Sequence, residues 1–164
     1  MSDRNAKDIK DEIYAAFSNT ASTIGYDEVH GRIIAALIVN EGSMSLQEMA
    51  EETGYSSSSI SLSLDLLEVF GIIKKEKKQG DRKLYIKMDG DLLDGLKQAI
   101  LIRIQKSISE TLGNFENYRG KLENMDSDDS KKVLEGLDTL EEEIERLEDF
   151  VDQLAEVEIP EDKR

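Results

Sequence analysis

Two groups of polar side chains in the middle of the chain have the chemistry of a contact with a polyanion. The first is a run of hydroxyls, Ser56 to Ser59 followed by Ser61, which can bind phosphate oxygens together with the free N–H groups of a helix start. The second is a cluster of cations from Phe70 to Lys87, where seven Lys and Arg residues stand against two acidic ones. This local net charge of +5 lies in a chain of net charge −15, so it favours a nucleic-acid contact over an ordinary solvated charge run.

Catalytic and metal-binding chemistry finds little support in the residue types. The chain has no cysteine and a single histidine, His30, which excludes a disulfide framework, thiolate chemistry and a zinc site built from these ligands. The acidic group Asp126, Asp128 and Asp129 lacks the glycine and the terminal glutamate of a calcium loop. Phosphate-loop, nucleophile-elbow and dinucleotide-binding motifs do not occur in the sequence. We therefore expect no enzyme, no metal site and no cofactor.

The elements that position the polar groups belong to a small, helix-rich protein. The 164 residues are 38% hydrophobic, 35% charged and only 5% aromatic, which is typical of one small domain with a helical extension. The N-terminal residues contain no apolar signal core, and no stretch approaches the roughly 18 uninterrupted apolar residues of a membrane helix. We expect a soluble protein of the cytoplasm.

Hydrophobic periodicity predicts two helices before the polar groups. Apolar side chains recur about every fourth residue over residues 6–23, and Gly25 ends this first helix. Residues 28–40 are apolar on most sides, which predicts a second helix at the centre of the core, stopped by Gly42.

Two short helices with clear caps follow and predict a helix-turn-helix. Ser45 and Glu48 form a capping box at the start of a helix over residues 46–53, which Gly54 closes. Ser56 is the N-cap of the next helix, which runs to Phe70. Its core side is predicted to consist of Ile60, Leu64 and Leu67, and its opposite side of Ser57, Ser58, Ser61 and Asp65. Two short helices joined by about three residues have the form of a helix-turn-helix, with the second helix as the recognition helix.

The cationic segment predicts a β-hairpin. Residues 72–77 and 83–88 have strand character, and the turn between them contains Gly80 and Asp81. A helix-turn-helix followed by a basic hairpin has the order of a winged helix. Because the recognition helix carries no Arg or Lys and Asp65 repels phosphate, we expect specificity from hydroxyls, water bridges and DNA shape. The predicted DNA contacts are Ser45, Gln47, Ser56, Ser57, Ser58, Ser59, Ser61, Lys74, Lys77, Lys78, Arg82 and Lys83.

The C-terminal part is predicted to be helical and to serve dimerisation. A long helix begins near Asp91 and reaches Leu122, and after a loop at residues 126–129 a last helix carries a heptad stripe. A parallel self-pair of that helix would bring Glu143 near Glu148, so the stripe packs either on the long helix or on an antiparallel copy. The predicted dimer contacts are Ile9, Ile13, Ile100, Ile104, Ile108, Ile144, Leu147 and Val151.

Residues 25–87 resemble the MarR superfamily of winged-helix regulators, and within it the GbsR-like branch. The resemblance rests on Gly31-Arg32-Ile33, on Leu46 to Gly54, on Ser59 to Leu64 followed by Leu67-Glu68 and Gly71, and on Gly80 to Tyr85. It departs from the family pattern at Ser57 and Ser58, where basic or amide side chains are usual, and at Asp65, where a cation is usual. It implies a homodimer that uses its terminal helices as the interface and binds palindromic operators.

The same resemblance encourages a search for a ligand site, since some members of the branch sense osmolytes. An aromatic pocket for a quaternary ammonium such as choline or betaine is predicted from Tyr14, Phe17, Tyr26, Phe115 and Tyr118. The alternative is that these rings pack in the core and at the interface.

The sequence thus predicts a mainly α, α+β winged-helix fold with N- and C-terminal dimerisation helices. The predicted domains are an N-terminal helix over 1–24, a winged helix-turn-helix over 25–90, a helical dimerisation region over 91–157 and a tail over 158–164. The expected function is a homodimeric, sequence-specific double-stranded DNA-binding transcriptional regulator, most simply a repressor, with a small ligand such as an osmolyte as its effector. The alternative is a protein-interaction module that uses the acidic C-terminal helix, because from Lys121 onward seventeen acidic residues stand against six basic ones.

Overall fold

A computed structural model describes residues 5–125 and 127–161. It is mainly helical with a three-stranded antiparallel sheet, and it confirms the predicted α+β winged-helix fold class. The elements in chain order are α1 Ala6–Thr23, α2 Glu28–Val39, β1 Ser43–Ser45, α3 Leu46–Thr53, α4 Ser57–Val69, β2 Ile73–Lys77, β3 Leu84–Met88, α5 Leu92–Glu123 and α6 Asp128–Ala155.

The chain divides into two compact units, one up to Leu96 and one from Lys97 onward. The core of the first unit is built on α2, whose Ile33 and Leu37 are fully buried. Helix α1 crosses α2 at Gly31, where a side-chain carbon would overlap the carbonyl group of Phe17. The absent side chain is therefore what allows the two helices to approach so closely.

Helix α4 completes this core with the three residues predicted for it. Ile60 and Leu64 are fully buried and Leu67 is 2% exposed, which confirms the predicted inner face. The predicted helices over 6–23, 28–40 and 46–53, and that from Ser56 to Phe70, are confirmed to within one residue at each end.

The sheet has the order β1-β3-β2 with antiparallel pairing throughout. The two strands of the predicted hairpin pair as expected, with Ile73 opposite Met88 and Lys77 opposite Leu84. Strand β1 was not predicted. It is only three residues long, too short for an alternating pattern, and it pairs with β3 through Met44 opposite the fully buried Ile86.

The second unit contains most of α5 and the whole of α6, packed antiparallel. Lys97 Nζ, near the start of α5, donates hydrogen bonds to the carbonyl oxygens of Ala155 and Val157. Near the opposite end, Arg119 pairs with Asp138 and Glu141 of α6. Ile144 and Val151 of the α6 heptad stripe therefore pack on the long helix of the same chain, which was one of the two predicted arrangements, whereas Leu140 and Leu147 of the stripe are 56% and 41% exposed.

This packing corrects two of the predicted dimer contacts. Ile108 and Val151 are 3% and 1% exposed, and together with Leu101 they form the core between α5 and α6. Ile104 and Ile144 are half-buried against the same core. Since Ile108 and Val151 have almost no free surface, they hold the helix pair together within one chain and are not available to a second copy.

The predicted loop at residues 126–129 is also shorter than expected. Asp126 lies outside the described residues, as do residues 1–4 of the predicted N-terminal segment and residues 162–164 of the predicted tail. The Ser127 hydroxyl caps α6 by accepting the N–H of Ser130, so Asp128 and Asp129 belong to the first helical turn. Acidic residues there interact favourably with the helix dipole, which the loop prediction had not considered.

Across residues 5–125 and 127–161, no helix combines the length and the apolar character needed to cross a membrane. Within the same residues, no group of three or more His, Cys, Asp or Glu side chains is arranged to hold a metal ion.

Candidate nucleic-acid interface

Helix α3 is fixed at both ends by the caps that its sequence predicts. The Ser45 hydroxyl accepts the Glu48 N–H at 3.2 Å, and the Glu48 carboxylate accepts the Ser45 N–H at 2.7 Å. Hydrogen bonding of the Glu48 carboxylate to the Ser45 backbone N–H, and secondly to the Ser45 side chain, lowers the pKa of Glu48. Gly54 ends the helix in the left-handed conformation, with φ of 77°.

This capping corrects one predicted DNA contact and leaves another in place. Ser45 is 1% exposed, and its hydroxyl serves α3, so it has no surface to offer a nucleic acid. Gln47 in the first turn of α3 is exposed, and its side-chain amide bonds to Glu51 at 3.1 Å. A side chain held only by this exposed bond remains free to turn outward.

The hydroxyl run lies exposed at the start of α4. The Ser56 hydroxyl accepts the Ser59 N–H at 3.2 Å and lies 3.0 Å from the hydroxyls of Ser58 and Ser59. Ser61 donates to the carbonyl oxygen of Ser57 at 2.8 Å. Because each hydroxyl has one donor and two acceptor positions, these bonds leave capacity for an outside partner.

The outermost line of α4, which we call the outward ridge, consists of Ser58, Leu62, Asp65 and Val69. It lies opposite the buried Ile60, Leu64 and Leu67, and both of its apolar members, Leu62 and Val69, are 77% exposed. Neither Leu62 nor Val69 was among the predicted DNA contacts. A helical wheel contains the signal, because Leu62 and Val69 fall on the side away from the core residues.

The hairpin of β2 and β3, which we call the wing, does not present all its cations on one face. Side chains alternate along a strand, so Lys74 and Lys77 point to opposite faces of β2. Lys74 Nζ lies 3.3 Å from the Glu76 carboxylate and 3.7 Å from that of Asp89. Both carboxylates raise the pKa of Lys74, and the hydrogen bond to Glu76 is the largest cause. Lys74 and Lys77, both predicted DNA contacts, therefore lie on different faces of the wing.

Lys75 connects the wing to the outward ridge. Its Nζ lies 2.6 Å from the Asp65 carboxylate and 3.0 Å from that of Glu68. Hydrogen bonds to Asp65 and then Glu68 raise the pKa of Lys75, and the hydrogen bonds from Lys75 lower that of Glu68. The acidic residue that was expected to repel phosphate is thus compensated by a neighbouring cation.

The tip of the wing is held by a small cluster around Tyr85. The Tyr85 hydroxyl donates to Asp81 at 2.9 Å, and Asp81 also accepts the backbone N–H of Lys83 at 2.9 Å. The Lys78 ammonium lies 3.8 Å from the centre of the Tyr85 ring, within the range of a cation–π contact. The Lys83 N–H and the Tyr85 hydroxyl, in this order, lower the pKa of Asp81.

Four of the predicted DNA contacts are cations near the tip of the wing, and their side chains are exposed. Within the described part of the chain, none of them has a carboxylate within ion-pair distance. Two of them, Lys83 and Lys78, lie close enough to α3 that their charges add to the lowering of the pKa of Glu48. The four are Lys77, Lys78, Arg82 and Lys83.

The predicted aromatic pocket is not supported in the first unit. Tyr14 is 1% exposed, donates its hydroxyl proton to Glu52 at 2.7 Å and accepts the side-chain amide of Asn40 at 3.1 Å. Tyr26 packs edge-on against Phe70, with ring centres 5.6 Å apart. Both rings therefore pack against other parts of the protein, which was the alternative to a ligand pocket. Phe17 is 37% exposed, and Phe115 and Tyr118 lie on α5 in the second unit.

Other predicted dimer contacts have free surface in the single chain. Ile9 and Ile13 on α1 are 47% and 40% exposed. Ile100 on α5 and Leu147 on α6 are 39% and 41% exposed. These four side chains are therefore available to a partner.

No protein-family model matches the chain, and no curated protein matches its sequence. Among solved structures, the crystal structure of a transcriptional regulator is 20% identical, covers 89% of this chain and 95% of its own, and has a TM-score of 0.60. An organohalide-sensing transcriptional regulator, RdhR in its ligand-free form, is 16% identical over 95% of this chain and 84% of its own, with a TM-score of 0.41. The first similarity shows a shared fold, and the second is too low to show one.

Proposed function

We propose that this protein is a transcriptional regulator that binds double-stranded DNA in a sequence-specific manner. The observation that carries the proposal is a group of exposed cations at the tip of a wing next to a hydroxyl-lined helix. These cations, which have no carboxylate of residues 5–125 and 127–161 within ion-pair distance, are Lys77, Lys78, Arg82 and Lys83. In a chain of net charge −15, such a group is suited to phosphate, while α4 enters the major groove as recognition helix.

The proposed active form is a homodimer that represses by occupying a promoter. Ile9, Ile13, Ile100 and Leu147 are the side chains proposed for its interface, because each is at least 39% exposed in the single chain. Two recognition helices would then enter successive major grooves of a pseudo-palindrome, about 34 Å apart. Sedimentation of the full chain at micromolar concentration tests this state, and a monomer would contradict it.

We also propose that the protein belongs to the GbsR-like branch of the MarR superfamily and that it responds to an osmolyte. The branch rests on the sequence resemblance of residues 25–87. Tyr14 is buried and Tyr26 packs against Phe70, so the aromatic candidates for an effector contact that remain are Phe17 in the first unit and, separately, Phe115 and Tyr118 in the second. Calorimetric titration with choline or betaine tests the effector, and the absence of heat would contradict it.

The experiment that tests the main proposal is selection of bound sequences from a random DNA pool, followed by a gel shift on the selected site. A regulator is expected to enrich a palindromic motif and to hold it against an excess of unrelated DNA. Enrichment of no motif, with only salt-sensitive smearing, would contradict sequence-specific binding.

That same outcome would favour the second candidate, a protein-interaction module. The observation in its favour is the surface of α6, where eleven acidic residues stand against three basic ones and Leu140 and Phe150 are both 56% exposed. Such a surface suits a basic partner. The test is a pull-down with the full-length protein as bait. The matched control bait is a variant in which Glu142, Glu145 and Glu148 are changed to Gln.

A further inference from the structure

We propose that Leu62 reads thymine in the major groove through the 5-methyl group of the base. The inference rests on the proposed function, because it assigns a base preference to the same recognition helix. It predicts that the operator carries a thymine at the position that Leu62 faces, and that the methyl group of this base contributes to affinity.

The exposure of Leu62 first requires an explanation. Its side chain is 77% exposed in the middle of α4, while Ile60 and Leu64, two residues away on either side, are fully buried. Leaving a leucine in water forgoes the stabilisation that burial provides, so its position on the outward ridge is not explained by the fold. A single exposed leucine is ordinary on a protein surface, but this one lies on the helix face proposed to enter the groove.

The other exposed side chains of α4 limit the bases that this helix can recognise. From Ser57 to Val69 the helix has no cation, so bidentate recognition of guanine by Arg or Lys is excluded. Ser58 and Ser61 can bond to donors or acceptors of any base and discriminate weakly. The Asp65 carboxylate could accept a hydrogen bond from the amino group of cytosine, but it is held by Lys75 at 2.6 Å. The remaining base-specific group on the first two turns is the isobutyl group of Leu62, and its natural partner is the thymine methyl.

The position of Leu62 along the helix fits a base contact. The N-terminal turns of a recognition helix reach the base edges, and Leu62 lies in the second turn, one turn after Ser58. Val69 has the same exposure but lies about 10 Å further along the axis, near the end of the helix. It therefore offers a matched apolar control.

The charged groups on either side of Leu62 favour a contact of this side chain with a base over a contact with a phosphate. A cleft of about 440 Å³ borders it on one side, and this cleft also contains Asp27 and Glu28. Carboxylates there repel the DNA backbone. On the opposite side of the outward ridge, Lys75 joins α4 to the cationic wing. Phosphate contacts on the wing side and none on the cleft side would place the base edges against the centre of the ridge.

The test uses the full-length protein and the selected operator, with each thymine of one half-site replaced in turn by deoxyuridine. Uracil has the same hydrogen-bonding groups and lacks only the methyl group. Removal of one methyl from an apolar contact is expected to weaken binding about fourfold at one position and to change it little elsewhere. The Leu62→Ala variant is expected to bind the thymine operator more weakly and to lose the difference between thymine and uracil, while Val69→Ala retains it.

The outcomes separate this inference from the proposed function. If the wild-type protein binds a selected operator equally well with uracil at every position, the thymine contact is wrong and sequence-specific DNA binding stands. If no operator can be selected, the proposed function itself fails. If Leu62→Ala retains the thymine preference but changes the sedimentation of the protein, Leu62 belongs to a contact between copies of the chain and the inference is overturned.

Discussion

Lys75 Nζ lies 2.6 Å from the Asp65 carboxylate, so a cation of the wing compensates an acidic residue on the outward ridge of α4. Glu68 shares the same ammonium group at 3.0 Å. The three side chains join the wing to α4 and reduce the negative charge on the face of α4 that is proposed to enter the groove. If the protein binds DNA as proposed, Lys75 contributes in two ways: it neutralises part of the negative charge of Asp65 and Glu68, and it adds a positive charge to the wing.

The first prediction concerns this compensation. Lys75→Gln leaves Asp65 and Glu68 unpaired on the proposed DNA face, and we expect operator affinity to fall about threefold to tenfold, mainly at low salt. Fluorescence anisotropy over a range of salt concentrations measures it. The triple variant Asp65→Asn, Glu68→Gln, Lys75→Gln removes both carboxylates as well, so it is expected to bind at least as tightly as the wild type. Without recovery, Lys75 contacts phosphate directly and compensation is not its role.

The second prediction concerns the tip of the wing. Arg82→Ala with Lys83→Ala removes two exposed cations, so binding should weaken on all DNA sequences. The slope of log K against log salt concentration should become shallower by about 1.8, if each cation contacts one phosphate. The control, Lys131→Ala with Lys132→Ala, removes the same charge from the exposed start of α6 and should leave the slope unchanged. An equal change in both double variants would indicate a general charge effect.

The third prediction concerns the pH dependence of the Tyr14–Glu52 contact. Hydrogen bonds from Lys10 and then Tyr14 lower the pKa of Glu52 in the folded protein. A carboxyl whose pKa is lower in the folded state stabilises that state at neutral pH, and this contribution is lost as the pH falls through the folded pKa. The difference in free energy of unfolding between wild type and Glu52→Gln should therefore be largest near neutral pH and shrink below about pH 4. Urea unfolding at several pH values measures it, and a difference independent of pH would contradict it.

A companion variant separates the tyrosine hydroxyl from its ring. Tyr14→Phe keeps the buried ring and removes the hydrogen bond to Glu52, so we expect a loss of about 1 kcal/mol in the free energy of unfolding. Tyr14→Ala should cost more, because it also leaves a cavity where a ring with 1% exposure now packs. Similar losses in the two variants would mean that the ring contributes little.

Local sequence patterns were sufficient to predict most of the fold. The capping box of Ser45 and Glu48 is a short-range feature, and the inner face of α4 follows from helical spacing, so both were predictable from neighbouring residues. Strand β1 has no such signal, because its pairing with β3 depends on residues forty or more positions later. A three-residue strand is defined by its partner.

The candidate interface was less predictable because it depends on register and on tertiary contacts. The division of Lys74 and Lys77 between opposite faces follows only when the pairing of β2 with β3 is known. Likewise, the burial of Val151 depended on whether the stripe of α6 packs on α5 or on another chain, and both were compatible with its heptad pattern. The exposed position of Leu62 could be predicted with a helical wheel, but only hydroxyls and cations were considered as DNA contacts.

The last prediction concerns the crossing of α1 and α2. In Gly31→Ala, the new methyl group would overlap the carbonyl group of Phe17 and lie 2.9 Å from the Ser18 nitrogen. Backbone atoms cannot rotate away, so the two helices must separate, and we expect a loss of about 3 kcal/mol in the free energy of unfolding. Gly136→Ala is the matched control, because the added methyl group meets no atom within 4 Å on α6 and should stabilise that helix by about 0.5–1 kcal/mol. Thermal unfolding followed by circular dichroism compares the two variants. Since helix propensity alone favours alanine in both helices, a stabilised Gly31→Ala would show that α1 does not cross α2 at this residue.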